Sequence, residues 1–411
     1  MNKVMMPADV KDQLLNAYEE GDFYLSSPSR TMLGKGVLKK IFSESEEMHQ
    51  KTLSEQVKMA LEEARQKGIL KPVAVGAIPF DPKNAPQLII PERTKFSVPH
   101  QIKGILPDRN SSLNTYDMRS IPKPEEYMDG VHQGLTYIQE GELEKIVLAR
   151  TLRCQTEDPV DTKQILQNLV QYNAGGYTFA VNLLNSNSSK NGKDPDYQNN
   201  KRTFMGASPE LLVSRAGTTL IANPLAGSRP RSEDPVEDRR RAMELLVSAK
   251  DLHEHAVVVD AVSKELAALC TNLVVPDKPS VVQTETMWHL STEIKGEIVD
   301  SKVTSLDLAL ALHPTPAVCG YPTERAYEAI NEVEPFDRNY FTGIVGWCDE
   351  SGDGEWIVAI RCAEIEKSTI SLYAGAGVVA GSKPEEELEE TSAKFRTMLY
   401  AMGLKGLKDS E

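Results

Sequence analysis

No apolar run in this chain approaches the roughly 18 residues a membrane-spanning helix needs. The amino terminus, MNKVMMPADVKDQLLNAYEEGDF, lacks the basic, apolar, small-residue order of a secretory signal, and its acidic residues do not suit an organellar transit peptide. The expected location is therefore the cytoplasm. Cysteine is scarce: five residues, an odd number with no CxxC spacing, fit packed free thiols in a reducing compartment and exclude a disulfide framework or a zinc knuckle. A dense basic stripe is missing as well. The net charge of -14 repels polyanions, and the nearest candidate, RPRSEDPVEDRRR (229–241), interleaves its arginines with Glu233, Asp234, Glu237 and Asp238. It reads as the solvated start of a helix, and nucleic acid is excluded as a partner.

The chain is 40% hydrophobic and 26% charged, the balance of a globular protein with a sizeable core. Length alone leaves one or two domains open. The expected organisation is a single large unit over 1–411, with a scaffold portion at 1–120 and the chemically interesting stretches at 121–405. Helical periodicity runs through SEQVKMALEEARQKG (54–68), and β-favouring runs occur at 73–80, 145–154, 177–184 and 203–215. The polar tract 185–202 reads as a mobile surface loop, and its Asn187-Ser188-Ser189 is a glycosylation acceptor in form only. Asp234, Pro235 and Glu237 predict a capping box opening a helical pattern, one helix or two, that continues past AKDLHEH; Ser382 and Glu385 predict a second box before the last helix. The stretch VVQTETMWHLSTEIKGEIV (281–299), helices LDLALALH and TERAYEAINEVE, and a hairpin turning at SGDG complete the pattern. Strands outnumber what a βαβ alternation gives, so the expected class is α+β, with large mostly antiparallel sheets packed together and helices outside.

Helical spacing places Glu387, Glu390 and Lys394 along one face of the last helix, and Asp251 with Glu254 along another. Each pair alone suits a solvated acidic face; together they form the oxygen-only set that Mg²⁺ prefers. His253 and His255 point in different directions and find no third ligand at finger spacing, which argues against zinc. His313, beside a proline, reads as a turn histidine. Lys145 opens an apolar strand, where desolvation lowers a lysine toward use as a base, although a strand-end lysine commonly snorkels to water. Glu210 in GASPELL sits in apolar surroundings that raise a carboxyl toward use as an acid, or it pairs with an arginine. Arg361 in EWIVAIRCAEI is expected to point inward from a strand and to seek a carboxylate. AGAGVVAG has the wrong spacing for a dinucleotide fingerprint, but its glycines permit close backbone approach.

KIVLAR, GASPELL, PLAGSRPR, AKDLHEH, LHPTPAVCGYP, YFTGIVGW, AIRCAEI and AGAGVVAGSKPEEELEET occur in the order seen in chorismate-utilising enzymes, which include anthranilate, aminodeoxychorismate, salicylate and isochorismate synthases. LHPTPAVCGYP resembles isochorismate synthases in particular, especially those feeding catecholate siderophore synthesis. The resemblance implies that Lys145 activates water for attack at C2 of chorismate and that Glu210 protonates the departing C4 hydroxyl. It implies Mg²⁺ held by Glu254 and Glu390, with Asp251 and Glu387 in neighbouring acidic positions, and substrate contacts from Arg361, Gly227, Ala317, Phe341, Gly375 and Lys394. Ala317 stands where lyase-competent relatives carry a hydroxyl side chain, which favours stopping at isochorismate over proceeding to salicylate. The menaquinone pathway stays open as the alternative use of the product. No organic cofactor, membrane or glutaminase subunit is expected.

Overall fold

The computed structural model describes residues 13–41, 52–99, 115–173, 175–183 and 201–404. The polar tract, its Asn187-Ser188-Ser189 and the first residues of the chain lie outside them, apart from Lys201 and Arg202. Two large sheets of ten and nine strands face each other, with a third of three strands beside them, and every pairing among the described residues is antiparallel. Between the facing sheets lies one apolar layer that includes Phe179 and Phe204 from the first and Val75, Val345 and Ile357 from the second. The outer face of the ten-stranded sheet is covered by helices Thr162–Tyr172 and Pro384–Ala401 through Leu166, Leu169, Phe395 and Leu399. Helices Leu53–Gln66, Ala249–Ala267 and Ser305–Leu312 cover the nine-stranded sheet in the same way. The expected α+β architecture with helices outside is the one observed. All five cysteines are free and buried, as packing residues should be.

Three local expectations need correction. Asp234 caps the helix Pro235–Leu245 by accepting from the Val236 amide, but Glu237 does not reach back to complete a box, because Arg240 and Arg241 hold its carboxylate. The helical pattern that the sequence left open as one helix or two is two, since Ser248 begins a new one by accepting from the Asp251 amide. At the last helix Lys383 is the cap residue, and the Ser382 hydroxyl instead accepts from the Val379 amide and closes the turn after the preceding strand.

The third correction has functional weight. EWIVAIRCAEI is not one strand: Gly354–Val358 belongs to the nine-stranded sheet and Cys362–Glu366 to the ten-stranded one. Arg361 sits at the crossing with φ of 51°, a left-handed backbone that no extended strand contains. TFMGASPELLVSR divides likewise into Arg202–Ser208 and Leu211–Ala216, with Pro209 and Glu210 between them. The two crossings lie side by side, the Ala207 amide donating to the Arg361 carbonyl at 3.0 Å and the Val358 amide to the Glu210 carbonyl at 3.2 Å. Both chains must leave one sheet for the other at the same place, and that requirement sets Glu210 next to Arg361.

Candidate active site

The strand Lys145–Thr156 is buried on both faces over its first eight residues, and it pairs along its length with Thr369–Val379. Lys145, its first residue, is 0% exposed. Its Nζ forms an ion pair with Glu254 Oε1 at 3.0 Å. Opposite, Gly375 and Gly377 leave room that a side chain would occupy: a Cβ at Gly377 would stand 2.2 Å from Glu254 Oε1 and 3.0 Å from Lys145 Cε. The glycine run therefore brings strand backbone against an amine and a carboxylate.

Glu210 is buried, and desolvation pushes its carboxyl up to about 7, against the Leu225 amide and the positive charges of Lys145, Lys394 and Arg361. Burial pulls the Arg361 guanidinium down to about 10 while Glu390 and Glu210 draw it up, so the group stays cationic at neutral pH. Its Nη2 donates to His289 Nε2 at 3.2 Å; a guanidinium has no acceptor, so the His289 proton resides on Nδ1 and is donated to Ser228 Oγ at 2.8 Å. Burial, together with the nearby Arg361 and Lys394 charges, holds His289 well below its ordinary pKa and neutral. Arg361 Nη1 is buried without a protein partner among the described residues, a donor left for a ligand.

Two helices supply the acids, and each acid faces a cation. Glu254 pairs with Lys145, Glu390 with Lys394 at 2.6 Å, Asp251 with Arg229 at 2.9 Å, and Glu387 with Lys250 at 2.7 Å. Lys394 also donates to the Gly375 carbonyl at 2.7 Å. Burial raises Glu254, but Lys145, Lys250 and Lys394 together hold it below the usual carboxylate range. Glu387, 1% exposed, is pushed up to about 7 by burial and by the charge of Glu390, so the face of the last helix that carries Glu387 is not a solvated acidic one. Among the described residues no three acidic, His or Cys side chains converge as a metal cage. The donor chemistry nevertheless fits magnesium, which is commonly bound by one or two carboxylates with water and substrate oxygens: Glu254 and Glu390 line one cavity, and Glu390 is close enough to Glu387 for the two to repel.

That cavity is lined by Glu210, Glu254, Glu390, Arg361, Lys394, Gly227, Ala317, Phe341 and Gly375. Lys145, Asp251 and Glu387 are not part of its lining: Lys145 stands behind Glu254, while Asp251 and Glu387 are turned to Arg229 and Lys250. The cavity volume is about 60 Å³. Phe341 stacks on Tyr373 with centroids 5.2 Å apart and planes 13° apart, an arrangement contributing about 0.5–1.5 kcal/mol beyond burial, so this wall is stiff. His289, Ser228, Thr342 and Tyr373 also line the cavity and were not singled out in the sequence. No local signal marks them: on the strand Met287–Ser291 that carries His289, Met287, Leu290 and Ser291 are buried as well. His253 is exposed and His255 is held by the Ala226 carbonyl and the Thr292 hydroxyl, so neither converges on a zinc site. His313 ends the helix Ser305–Leu312, and burial pulls it down to about 4. In the 229–241 stretch, Arg231, Arg240 and Arg241 are engaged by interleaved Asp238 and Glu237, and Arg229 by Asp251 from outside the stretch. No helix among the described residues is long and apolar enough to cross a membrane.

A buried cation with one free donor should dominate recognition of an anionic ligand. Arg361→Ala is expected to raise KM for such a substrate by at least about 30-fold, corresponding to about 2 kcal/mol for a lost buried charge contact. Steady-state kinetics check this, and a KM within about threefold of wild type would show that Arg361 does not hold the ligand.

A cavity combining a high-pKa acid, a buried amine behind an acidic pair and a guanidinium with a free donor belongs to an enzyme acting on a small anion. Residues 101–403 match the chorismate binding enzymes, and the chain belongs to that family. It is 54% identical over 393 residues to isochorismate synthase DhbC of Bacillus subtilis, covering 96% of each chain. The vibriobactin-specific isochorismate synthase of Vibrio cholerae is 42% identical over 93% of this chain and 91% of the relative. A crystal structure described as that of a 2,3-dihydroxybenzoate-specific isochorismate synthase, DhbC of Bacillus anthracis, superimposes with a TM-score of 0.88 at 51% identity, covering 96% of this chain and all of the other.

Proposed function

We propose that this chain is an isochorismate synthase that moves the hydroxyl of chorismate from C4 to C2 and serves 2,3-dihydroxybenzoate siderophore synthesis. The observation that carries the reading is the meeting, in one cavity, of the raised carboxyl of Glu210 with Arg361, Lys394 and the Glu254–Glu390 pair. Lys145 takes a proton from water as the new C2–O bond forms. Both ring double bonds shift, C1=C2 to C1=C6 and C5=C6 to C4=C5, the C4–O bond breaks, and Glu210 donates the proton that lets the hydroxyl leave as water. One water is consumed and one released, and proton exchange with solvent restores both residues. Arg361 and Lys394 hold the carboxylates of the dianion in a protein whose net charge of -14 would otherwise repel it. Magnesium held by Glu254 and Glu390, when bound, would supply positive charge facing a substrate carboxylate. Ala317 offers the ring an aliphatic wall. The likeness to DhbC of Bacillus subtilis and the vibriobactin-specific enzyme supports the siderophore role.

Incubation with chorismate and Mg²⁺, followed by chromatography, should yield isochorismate alone; salicylate with pyruvate would make the chain a salicylate synthase. Exhaustive chelation should lower turnover by at least about 10²-fold, with recovery on adding Mg²⁺. Full activity after chelation would remove the metal from the mechanism.

A further inference from the structure

Arg338 lies in the segment between helix Thr323–Val333 and strand Ile344–Asp349, outside the cavity lining and 3% exposed. All of its donors point at the cavity's walls or at their support. Nη2 donates to the Val147 carbonyl at 2.7 Å, and Nη1 donates to the Val318 carbonyl at 2.8 Å and to Thr342 Oγ1 at 3.4 Å. Nε and Nη2 grip Glu334 at 2.8 and 2.5 Å, and Glu334 Oε1 in turn accepts from the Ala149 amide at 2.8 Å. Val147, Val318 and Thr342 each line the cavity and come from three separate stretches of chain.

The Val318 contact matters because the loop His313–Cys319 has little behind it. Its outer side, from His313 to Pro316, borders a second cavity of about 580 Å³, while Ala317 and Val318 form the wall of the catalytic cavity. Thr315 Oγ1 and His313 Nε2 are buried without partners among the described residues, and the loop's other ties, the His313 ring to the Pro79 backbone and the Val318 and Cys319 amides to the Thr315 carbonyl, leave the Val318 carbonyl to Arg338. The Cys319 carbonyl is tied to the Val147 amide at 2.8 Å, which fixes the end of the loop but not Ala317.

We infer that Arg338, held by Glu334, is a positioning residue that sets the ring-facing wall of the catalytic cavity by fixing Val147, Val318 and Thr342 at once. A lysine cannot replace it, because a single ammonium lacks the planar fork that reaches two carbonyls, a hydroxyl and a carboxylate together. The inference rests on reading this cavity as the chorismate site. It separates from a general structural role because Glu254 and Glu390 lie on helices that Arg338 does not touch.

In Arg338→Lys, KM for chorismate should rise at least about tenfold while kcat stays within about threefold and half-saturation by Mg²⁺ within about twofold. Thr342→Val, which removes one acceptor without exposing a buried charge, should move KM in the same direction by a smaller factor; if the lysine variant does not fold, this variant and Glu334→Gln carry the test. An unchanged KM, or KM, kcat and metal half-saturation all worsening together, overturns the inference. Arg361→Ala is the control. If Arg361→Ala raises KM and Arg338→Lys does not, only the positioning role fails; if neither moves KM, the cavity is not the chorismate site.

Discussion

Lys145→Ala is expected to slow chorismate consumption by about 10²-fold to 10⁴-fold, the range a positioned general base contributes. The substitution touches little else, because the Lys145 backbone remains paired with Val379 and Tyr321. It does remove the ion partner of Glu254, and breaking a buried pair from one side costs about 3–5 kcal/mol. Lys250 and Lys394 still act on Glu254, so the loss should fall toward the lower end of that range. Circular dichroism should therefore show the native fold with a lower urea midpoint. Half-saturation by Mg²⁺ should stay equal or improve, since an ion bound at Glu254 shares with the Lys145 ammonium the oxygen they both favour. Product chromatography decides the role: a variant that still forms isochorismate at more than about a tenth of the wild-type rate has no need of the amine as base.

Spacing made parts of this site legible. A helix puts residues three and four apart on one face, so Glu387, Glu390 and Lys394 could be grouped from the sequence, and the Lys394–Glu390 pair observed is the i, i+4 contact that geometry demands. Asp251 and Glu254 share a helix in the same way, yet they diverge in use: Asp251 turns to Arg229 on a neighbouring strand and Glu254 to Lys145, and only the fold selects those partners. The strand alternation that suggested an inward Arg361 was right about burial and wrong about its cause. An unbroken apolar run looks the same whether it stays in one sheet or steps between two, and Arg361 carries no glycine or proline to mark its left-handed turn. Pro209 interrupts the partner run, which its composition nevertheless presents as one stretch over 203–215, and nothing local says that the two crossings meet. His289 and Arg338 were silent for a related reason: each works through hydrogen bonds to residues distant in sequence, which periodicity does not encode. The capping errors are of another kind. Glu237 and Ser382 had the right residue types at the right spacing, and competing partners, two arginines and the Val379 amide, took them instead.

Glu210→Gln should cost about 10²-fold to 10⁴-fold in kcat and also change the shape of the pH profile, which separates an acid from a mere contact. With its carboxyl at about 7, Glu210 carries the reactive proton below neutrality and loses it above. Wild-type kcat/KM should therefore fall with rising pH above about 7, tenfold per unit in the limit, while the residual activity of Glu210→Gln shows no break there. Stability moves the opposite way. Below the ordinary value of 4.5 both folded and unfolded chains hold the proton, and between 4.5 and about 7 only the folded chain does. Unfolding therefore releases a proton in that window, and stability declines as pH rises through it, by at most about 3 kcal/mol at 1.36 kcal/mol per unit. Above the window the deficit is constant. Glu210→Gln removes it, so at pH 8 the inactive variant should resist urea better than wild type, and at pH 4 the two should be close to equal. A basic limb that persists in the glutamine variant would assign that titration to another group, and a variant no more stable than wild type at pH 8 would mean that the carboxylate is already compensated by Lys145, Lys394 and Arg361. Both results together would leave Glu210 as a binding residue, with the proton for the departing hydroxyl coming from elsewhere.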